Sequence, residues 1–190
     1  QKFIKDYFKD LYPEIEFEEV RFDTHVEECI KRDLKRPVSV GKDVILNMYY
    51  KYVAKPYEPK SDLPECIICD LDGTLAINNH NRSFYDASTC DKDDVNEIVL
   101  SILKSQQLPI IFLTGREEKY IEPTLRFLDK TEVSRYKIFM RTNNDFRKDY
   151  IIKEELFDRF IRDRYNVKFV LDDRPSVIRM WRGLGLQVLD

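Results

Sequence analysis

Glycine and histidine are scarce in this sequence, and no apolar run approaches the length of a membrane span. Only five glycines occur in 190 residues, so each is expected to mark a turn or a close backbone approach. Histidine occurs only at His25 and His80, which leaves little for a histidine-based metal site. We expect no membrane partner and no signal peptide, and a first residue other than Met indicates a fragment or a processed chain.

An excess of positive charge is also missing. The 32 Lys and Arg are outnumbered by 35 Asp and Glu, for a net charge of −3. This balance excludes a general electrostatic attraction to nucleic acid, so any such surface must be local. Apolar residues at 43% and charged residues at 35% indicate a folded domain with a charged surface. The length allows one full domain and an appendage.

The four cysteines form no convincing framework for a metal or for disulfides. Cys66 and Cys69 have a spacing found in zinc sites, but on one strand their side chains point to opposite faces. Cys29 and Cys90 add no recognisable pattern. We therefore predict buried free thiols, which fits a reducing cytoplasm.

The most informative stretch runs from Cys66 to Thr74, Cys-Ile-Ile-Cys-Asp-Leu-Asp-Gly-Thr. Its first four residues predict a short strand buried on both faces. The strand leads into Asp70 and Asp72, at the end where open α/β sheets bind ligands. Two carboxylates so close together repel each other in a dry cleft, and a cation between them relieves this. Hard oxygen ligands favour Mg²⁺.

Downstream of this stretch, short apolar strands alternate with amphipathic helices, which predicts a parallel sheet with helices on both faces. The predicted helices cover residues 91–107, a short segment from 122, 148–164 and 176–182. The predicted strands cover residues 109–113, 136–140, 167–171 and 187–189.

Three of the predicted strands end in polar residues. Because parallel strands bring their carboxyl ends to one edge, we expect these side chains to meet there. The set consists of Asp70, Asp72, Thr114, Arg116, Asp172 and Asp173, and the long helix adds Lys153. Such a set supplies a nucleophile, a proton carrier, metal ligands and positive charge for phosphoryl transfer.

The pattern Asp-x-Asp-Gly-Thr at residues 70–74 resembles the first motif of the haloacid-dehalogenase-like (HAD) phosphohydrolases. The resemblance implies a Rossmann-like α/β fold with a small cap. It also implies that Asp70 attacks phosphorus and that Asp72 acts as acid and base.

Further motifs resemble the 3′-phosphatase domain of phage-type polynucleotide kinase-phosphatases. These motifs are Asp70–Ala76, Arg82-Ser83-x-Tyr85-Asp86, Cys90-Asp91, Thr114–Glu117, Arg147-Lys148-Asp149, Lys153–Glu155, Asp172–Arg174 and Met180–Arg182. Compared with that pattern, the loop before Arg82 is one residue longer and the C-terminus stops early.

This resemblance implies removal of 3′-phosphate from nucleic-acid ends through an aspartyl-phosphate. Mg²⁺ would be held by the Asp70 side chain, the Asp72 carbonyl and Asp173, with Asp172 as an outer partner. Thr114 and Lys153 would bind phosphoryl oxygens. For substrate it implies phosphate contacts from Arg82 and Arg116 and a supporting role for Asp149.

The N-terminal part predicts a helix over residues 1–12, a strand over 15–22, a helix from Thr24 past Leu34 and a third helix after Gly41. A three-proline segment, residues 55–64, predicts a linker. We place the domains at residues 1–60 and 61–190.

Arg32 and Arg36 resemble the lid arginines of a P-loop kinase, whose forked guanidinium groups suit phosphate. The segment then resembles the end of a kinase domain, and an upstream kinase domain is an expected partner. The sequence contains no Gly-x-x-x-x-Gly-Lys-Ser/Thr loop, so we expect no 5′-kinase activity from this chain alone.

Two other functions remain open at this point. A HAD-type small-molecule phosphatase, acting for example on nucleotides, would share the same motifs. A non-catalytic module that binds nucleic-acid ends would use the lid-like segment as a docking surface. The sequence also leaves open RNA against DNA preference and whether the chain forms an oligomer.

Overall fold

The structure, a computed structural model, describes residues 2–18, 24 and 26–190. The chain divides into two compact units, an N-terminal unit of residues 1–46 and a C-terminal unit of residues 47–190. The predicted boundary after residue 60 remains a prediction. Of the helices within the described residues, none is long and apolar enough to cross a membrane.

The regular elements described in the N-terminal unit are helices, joined by irregular segments such as residues 34–41. It contains α1 (Lys2–Leu11), α2 (Val26–Asp33) and the first part of α3 (Lys42–Tyr52). The strand predicted over residues 15–22 is wrong for residues 15–18, which form no strand, and residues 19–22 lie outside the described part.

Helix α2 ends earlier than predicted. The buried Asp33 carboxylate accepts hydrogen bonds from Ser39 Oγ at 2.6 Å and from the Gly41 amide at 3.0 Å. These bonds draw the following chain back over the helix end, and the proline after Arg36 disfavours a helical conformation there. Arg36 therefore lies beyond the helix that carries Arg32, and Leu34 is exposed rather than packed.

The C-terminal unit is built on a five-stranded parallel sheet, as predicted. Its strands in spatial order are β5 (Tyr136–Arg141), β4 (Ile110–Glu117), β1 (Glu65–Cys69), β6 (Asn166–Leu171) and β7 (Val188–Leu189). The helices between them are α4 (Glu97–Ser105), α5 (Ile121–Asp129), α6 (Asp149–Phe160) and α7 (Pro175–Gly183). The chain enters at the centre with β1, moves outward through β4 and β5, and then returns to β6 on the other side. The carboxyl end of β1 thus lies at the switch point of the sheet, where such folds bind ligands.

The central strand is buried as its sequence predicts. Cys66 to Cys69 are all at most 1% exposed, and β1 pairs in parallel with both β4 and β6. Ile67 and Cys69 belong to the core that Phe112 and Phe127 help to fill. Burial raises the pKa of the Cys66 thiol to about 12, so this thiol stays neutral. Cys69 and Cys90 are also buried and free, as predicted, whereas the prediction is wrong for Cys29, which is only partly buried.

The helix predicted over residues 91–107 is wrong in its first part. A short 3₁₀ turn at Cys90–Lys92 and the strand β3 (Asp94–Val95) come first, and β3 pairs antiparallel with β2 (Ala76–Ile77). Helix α4 begins only after Asn96, whose side chain accepts a hydrogen bond from the Val99 amide at 3.4 Å. Capping by Asn and cross-strand pairing together compete with an early helix start. The two-stranded hairpin is the small cap of the fold.

The proline-rich segment before β1 is fastened to the C-terminal unit. The Tyr57 hydroxyl donates to the carbonyl of Tyr165 at 3.1 Å and accepts from the Val167 amide at 2.8 Å. The Tyr57 amide donates to the carbonyl of Leu184 at 2.8 Å, and the Tyr57 ring packs edge-on against Phe157. The segment is therefore an integral part of this unit in the structure rather than a free spacer.

Candidate active site

The floor of the candidate site lies at the carboxyl end of β1. Asp70 follows the strand directly and is only 6% exposed, and its Oδ1 lies 3.0 Å from Lys153 Nζ. Burial raises the pKa of Asp70 to about 7, while the positive charge of Lys153 acts in the opposite direction. The neighbouring carboxylates of Asp172 and Asp72 raise it further.

Lys153 joins the ends of two strands. It projects from α6, is 1% exposed, and its Nζ also lies 2.7 Å from Asp172 Oδ2. Burial by itself would lower the pKa of Lys153, but the charges of Asp70 and Asp172 outweigh burial and raise it. A lysine this deeply buried is therefore held charged by two carboxylates.

The floor carries more negative than positive charge, which fits a cation site. Oxygens of Asp70, Asp172 and Asp173 all lie within 4.8 Å of one another, and a single ammonium group is shared by two of them. Oxygen-only ligands in a compact cluster suit Mg²⁺. The structure thus brings together the three side chains predicted to hold the metal.

A tight turn after β1 leaves space for Asp173. Gly73 has φ +89°, and a Cβ at this position would lie 2.3 Å from Asp173 Oδ2. Only glycine fits both the left-handed backbone and the close approach. The next residue, Thr74, donates its hydroxyl to Asp173 Oδ1 at 3.0 Å, which fixes the carboxylate over the turn.

On the cap side of the site, Asp72 is held by two arginines. Arg116 donates to both of its oxygens, from Nε and Nη2, each at 2.8 Å. Arg82 donates from Nη2 to Oδ1 of the same carboxylate. Burial acts to raise the pKa of Asp72, but the hydrogen bonds and charges of Arg116 and Arg82 lower it below its usual range. Paired guanidinium forks of this kind match a phosphate as well as a carboxylate.

Asp93 is a site residue that the sequence analysis missed. Its fully buried carboxylate accepts hydrogen bonds from Arg82 Nε at 3.0 Å and from Arg82 Nη2 at 2.6 Å, and Arg116 Nη2 approaches to 3.4 Å. His80 Nε2 lies 3.0 Å from the same carboxylate. Asp93 therefore orients both arginines toward Asp72. The signal available was a run of acidic residues after Cys90, but this run fell inside a wrongly predicted helix.

A bulge near the end of strand β4 places Arg116 in the site. In the pairing with β5, Thr114 faces Met140 and the next registered pair is Glu117 with Arg141, so Gly115 and Arg116 are extra residues. Such bulges re-aim side chains near active sites. Thr114 is fully buried, and its hydroxyl accepts a hydrogen bond from the Arg116 amide at 3.2 Å.

Asp149, the first residue of α6, is enclosed by arginines. Arg141 and Arg174 both form ion pairs with its carboxylate. A Cβ on Gly115 would lie 2.7 Å from Asp149 Oδ1, so this glycine lets the carboxylate come against β4. Asp149 therefore serves to position arginines, as a supporting residue would. The ion pair between Arg141 and Asp149 was not predicted, because no sequence motif marks Arg141.

Asp70, Asp72, Arg116 and Asp149 open onto one cavity of about 620 Å³, a volume typical of ligand sites. The cavity extends from these residues to the loop after β2 and to the loop between β5 and α6. Arg32 and Arg36 belong to the N-terminal unit, where Arg32 pairs with Glu28 at 2.9 Å and Arg36 lies 3.6 Å from Asp33.

Comparison with known proteins identifies the family. The family model for the phosphatase domain of the polynucleotide kinase PNKP matches residues 64–190. The chain belongs to this family of HAD-type phosphatase domains.

A curated relative is similar in sequence to most of this chain. It is 37% identical over 179 residues to a protein of Autographa californica nuclear polyhedrosis virus whose provisional name is bifunctional polynucleotide kinase/RNA ligase. That match covers 88% of this chain but only 25% of the viral protein, so the chain spans a quarter of that relative's length.

Two solved structures are similar in fold and sequence. A chain in the structure of the Pnkp1/Rnl/Hen1 RNA repair complex has a TM-score of 0.67 and 38% identity, covering 97% of this chain and 68% of that one. A chain in a second Pnkp1/Rnl/Hen1 complex has a TM-score of 0.66 and 41% identity, covering 89% and 60%. The HAD-like fold and the relationship to polynucleotide kinase-phosphatases, both predicted from sequence, are confirmed.

Proposed function

We propose that this chain is a Mg²⁺-dependent phosphatase that removes the 3′-phosphate from polynucleotide ends. The observation that carries the proposal is the buried Asp70 at the floor, in contact with Lys153 and facing a cavity lined by arginine. An exposed surface carboxylate would have no such setting. The kinase, ligase and repair roles in the names of the relatives favour nucleic acid, and RNA in particular, as the substrate.

In the first step Asp70 attacks phosphorus, and the bond from phosphorus to the 3′ oxygen breaks. Asp72 gives a proton to the departing 3′ oxygen. In the structure both oxygens of Asp72 are occupied by N–H donors of Arg82 and Arg116. These arginines also lower the pKa of Asp72. At least one guanidinium must therefore turn from Asp72 to the incoming phosphate, so that Asp72 takes up from solvent the proton that it gives to the 3′ oxygen.

In the second step Asp72 takes a proton from water, and the water oxygen attacks phosphorus. The bond between phosphorus and Asp70 breaks, which releases inorganic phosphate and restores the carboxylate. Lys153 neutralises charge on the phosphoryl oxygens, and Thr114 binds them. Mg²⁺, held by Asp70, Asp173 and the Asp72 carbonyl with Asp172 as an outer partner, would stabilise the charge of the phosphoryl group.

The proposal is tested with three phosphate esters at matched Mg²⁺ and salt: a 3′-phosphorylated oligonucleotide, its 5′-phosphorylated isomer, and p-nitrophenyl phosphate. We expect kcat/KM to be highest for the 3′-phosphate in both RNA and DNA series. Equal kcat/KM for all three would indicate a general small-molecule phosphatase. Failure to hydrolyse any of them, with the 3′ end still bound, would indicate a non-catalytic binding module.

A further inference from the structure

Three exposed aromatic rings border the catalytic cavity, and the mechanism uses none of them. Phe84 is 70% exposed, Tyr85 93% and Phe146 87%. They come from two separate loops. Phe84 and Tyr85 lie between β2 and β3, while Phe146 lies between β5 and α6. Two distant segments of the chain thus place aromatic rings at the same opening.

The exposure of these rings contrasts with the burial of other phenylalanines in the same unit. Phe112, Phe127 and Phe157 are completely buried in the core of the same unit. Leaving a large apolar ring in water forgoes one of the larger gains available to a folding chain. Grouped exposed apolar side chains beside a ligand cavity indicate contact with a binding partner.

Charge alone does not explain how this cavity would hold a polyanion. Its lining contains as many acidic as basic side chains. The basic ones are Arg116, Arg141, Arg147, Lys148 and Arg174, and the acidic ones are Asp70, Asp72, Glu117, Asp145 and Asp149. Arg147 is also paired with Asp145 and Glu155, and Arg174 with Asp149. A second source of affinity is therefore needed at this opening.

The position of the rings fits the bases of a bound strand end. A terminal phosphate at Asp70 and Arg116 puts the attached sugar toward the mouth of the cavity, and the last bases follow. Aromatic side chains bind bases of any sequence by stacking, since every base has a flat π face. An enzyme that must accept any strand end needs contacts of this sequence-independent kind.

We propose that Phe84 and Phe146, together with Tyr85, form a stacking platform for the last one or two bases of a single-stranded 3′ end. This inference rests on the proposed function and specifies how the substrate is held. The platform acts on the unpaired bases and leaves the phosphate chemistry to the floor of the site.

The test compares kcat/KM for a 3′-phosphorylated single-stranded oligonucleotide with that for p-nitrophenyl phosphate, which has no base to stack in this way. The ratio of the two is measured for the wild type, Phe146→Ala, Phe84→Ala and the double variant. Because one base–aromatic stack is worth about 5- to 150-fold in affinity, we expect the ratio to fall by about that factor for a single variant. Phe146→Trp should keep the ratio, whereas Phe146→Leu, apolar but not aromatic, should lose it.

A second arm uses an oligonucleotide whose last two nucleotides lack bases. The wild type should lose about the same factor on this substrate, and Phe146→Ala should lose little more. Tyr52→Ala serves as the control, because Tyr52 is an exposed aromatic of the same unit outside the cavity lining.

The possible failures are distinguishable. If the wild type prefers the oligonucleotide but the Phe84 and Phe146 variants keep its ratio within twofold, the platform is wrong and the proposed function stands. If the wild type itself shows no preference, both are wrong. If the variants change only the oligomeric state seen by sedimentation, the rings form a protein contact, which also overturns the platform.

Discussion

The two charged clusters of the site differ in how their charges balance. At the floor, the ammonium group of Lys153 contacts Asp70 and Asp172, and the carboxylate of Asp173 lies beside them. On the cap side, the two arginines Arg82 and Arg116 face two carboxylates, Asp72 and Asp93. The floor therefore has a surplus of negative charge that a cation can neutralise. The cap side is already neutral and can exchange a carboxylate partner for a phosphate.

The largest expected effect is at Asp70. Asp70→Asn removes the nucleophile, so turnover of a 3′-phosphorylated oligonucleotide should fall by at least about 10⁴-fold. The fold should persist, since the change removes one of several crowded negative charges while Lys153 keeps its contact with Asp172. Thermal unfolding in metal-free buffer checks this second point. Near wild-type turnover in this variant would disprove covalent catalysis by Asp70.

The next effect tests the cap side. Asp72→Asn should lower turnover by about 10²–10⁴-fold, the usual contribution of a general acid and base. With p-nitrophenyl phosphate, whose leaving group needs no proton, the second step should become limiting and phosphate should accumulate on Asp70. Mass spectrometry of the peptide that contains Asp70 detects it. Equal slowing of both substrates without an accumulated intermediate would contradict the assigned role.

A smaller expected effect is the stabilisation of the folded protein by Mg²⁺, which tests the surplus of negative charge at the floor without an activity assay. At about 100 times its Kd, Mg²⁺ should stabilise the folded state by about 2.7 kcal/mol. For a chain of this size that corresponds to about 5–10 °C in Tm. Asp173→Asn should lose most of this increase, whereas Asp163→Asn, a surface carboxylate paired with Lys60, should keep it. An unchanged increase in Asp173→Asn would place the cation elsewhere.

The smallest expected effect concerns a carboxyl group outside both clusters, Glu154, which neighbours Lys153 on α6. Its oxygens lie 3.4 Å from the hydroxyl groups of Tyr49 and Tyr50. Burial, with a smaller effect from Asp158, raises the pKa of Glu154 to about 7. The folded state therefore binds the proton more tightly than the unfolded chain does, and stability should fall as pH rises from about 4.5 to about 7.

Glu154→Gln mimics the protonated form and should remove this loss. We expect it to stabilise the protein by about 1–2 kcal/mol at pH 8.5, a value reduced for partial exposure, and to have little effect at pH 4.5. Denaturant unfolding at the two pH values measures the difference. An equal effect at both would show that Glu154 is ionised over the whole range.

The sheet and the floor of the site could be predicted from the sequence, because both follow from local sequence patterns. Buried parallel strands are short apolar runs, and the residues that follow them must meet at one edge. Asp70, Asp172 and Asp173 come together for this reason. Lys153 was accessible because it lies in a motif, Lys153–Glu155, that resembles the phosphatase family.

On the cap side, the sequence analysis predicted Asp72, Arg82 and Arg116 but missed Asp93. The contacts there are not reflected in any periodic pattern of apolar residues. Asp93 is a buried charge just before β3, and its partner Arg82 lies in the loop that joins β2 to β3. Arg116 reaches the site through a bulge in β4, which no pattern of apolar residues predicts. Phe84 and Phe146 were missed since an exposed aromatic in a loop has no spacing to recognise.

The contacts of Tyr57 determine where this domain can be cut from, or fused to, a neighbouring domain. A fragment that begins at residue 61 would leave an empty slot beside Phe157. It would also deprive the Val167 amide and the Leu184 carbonyl of their hydrogen-bond partner. Fusion or excision at the proline-rich segment thus cuts through a folded part. A fragment or fusion should therefore begin upstream of Tyr57, although the amino-acid composition there does not indicate a domain boundary.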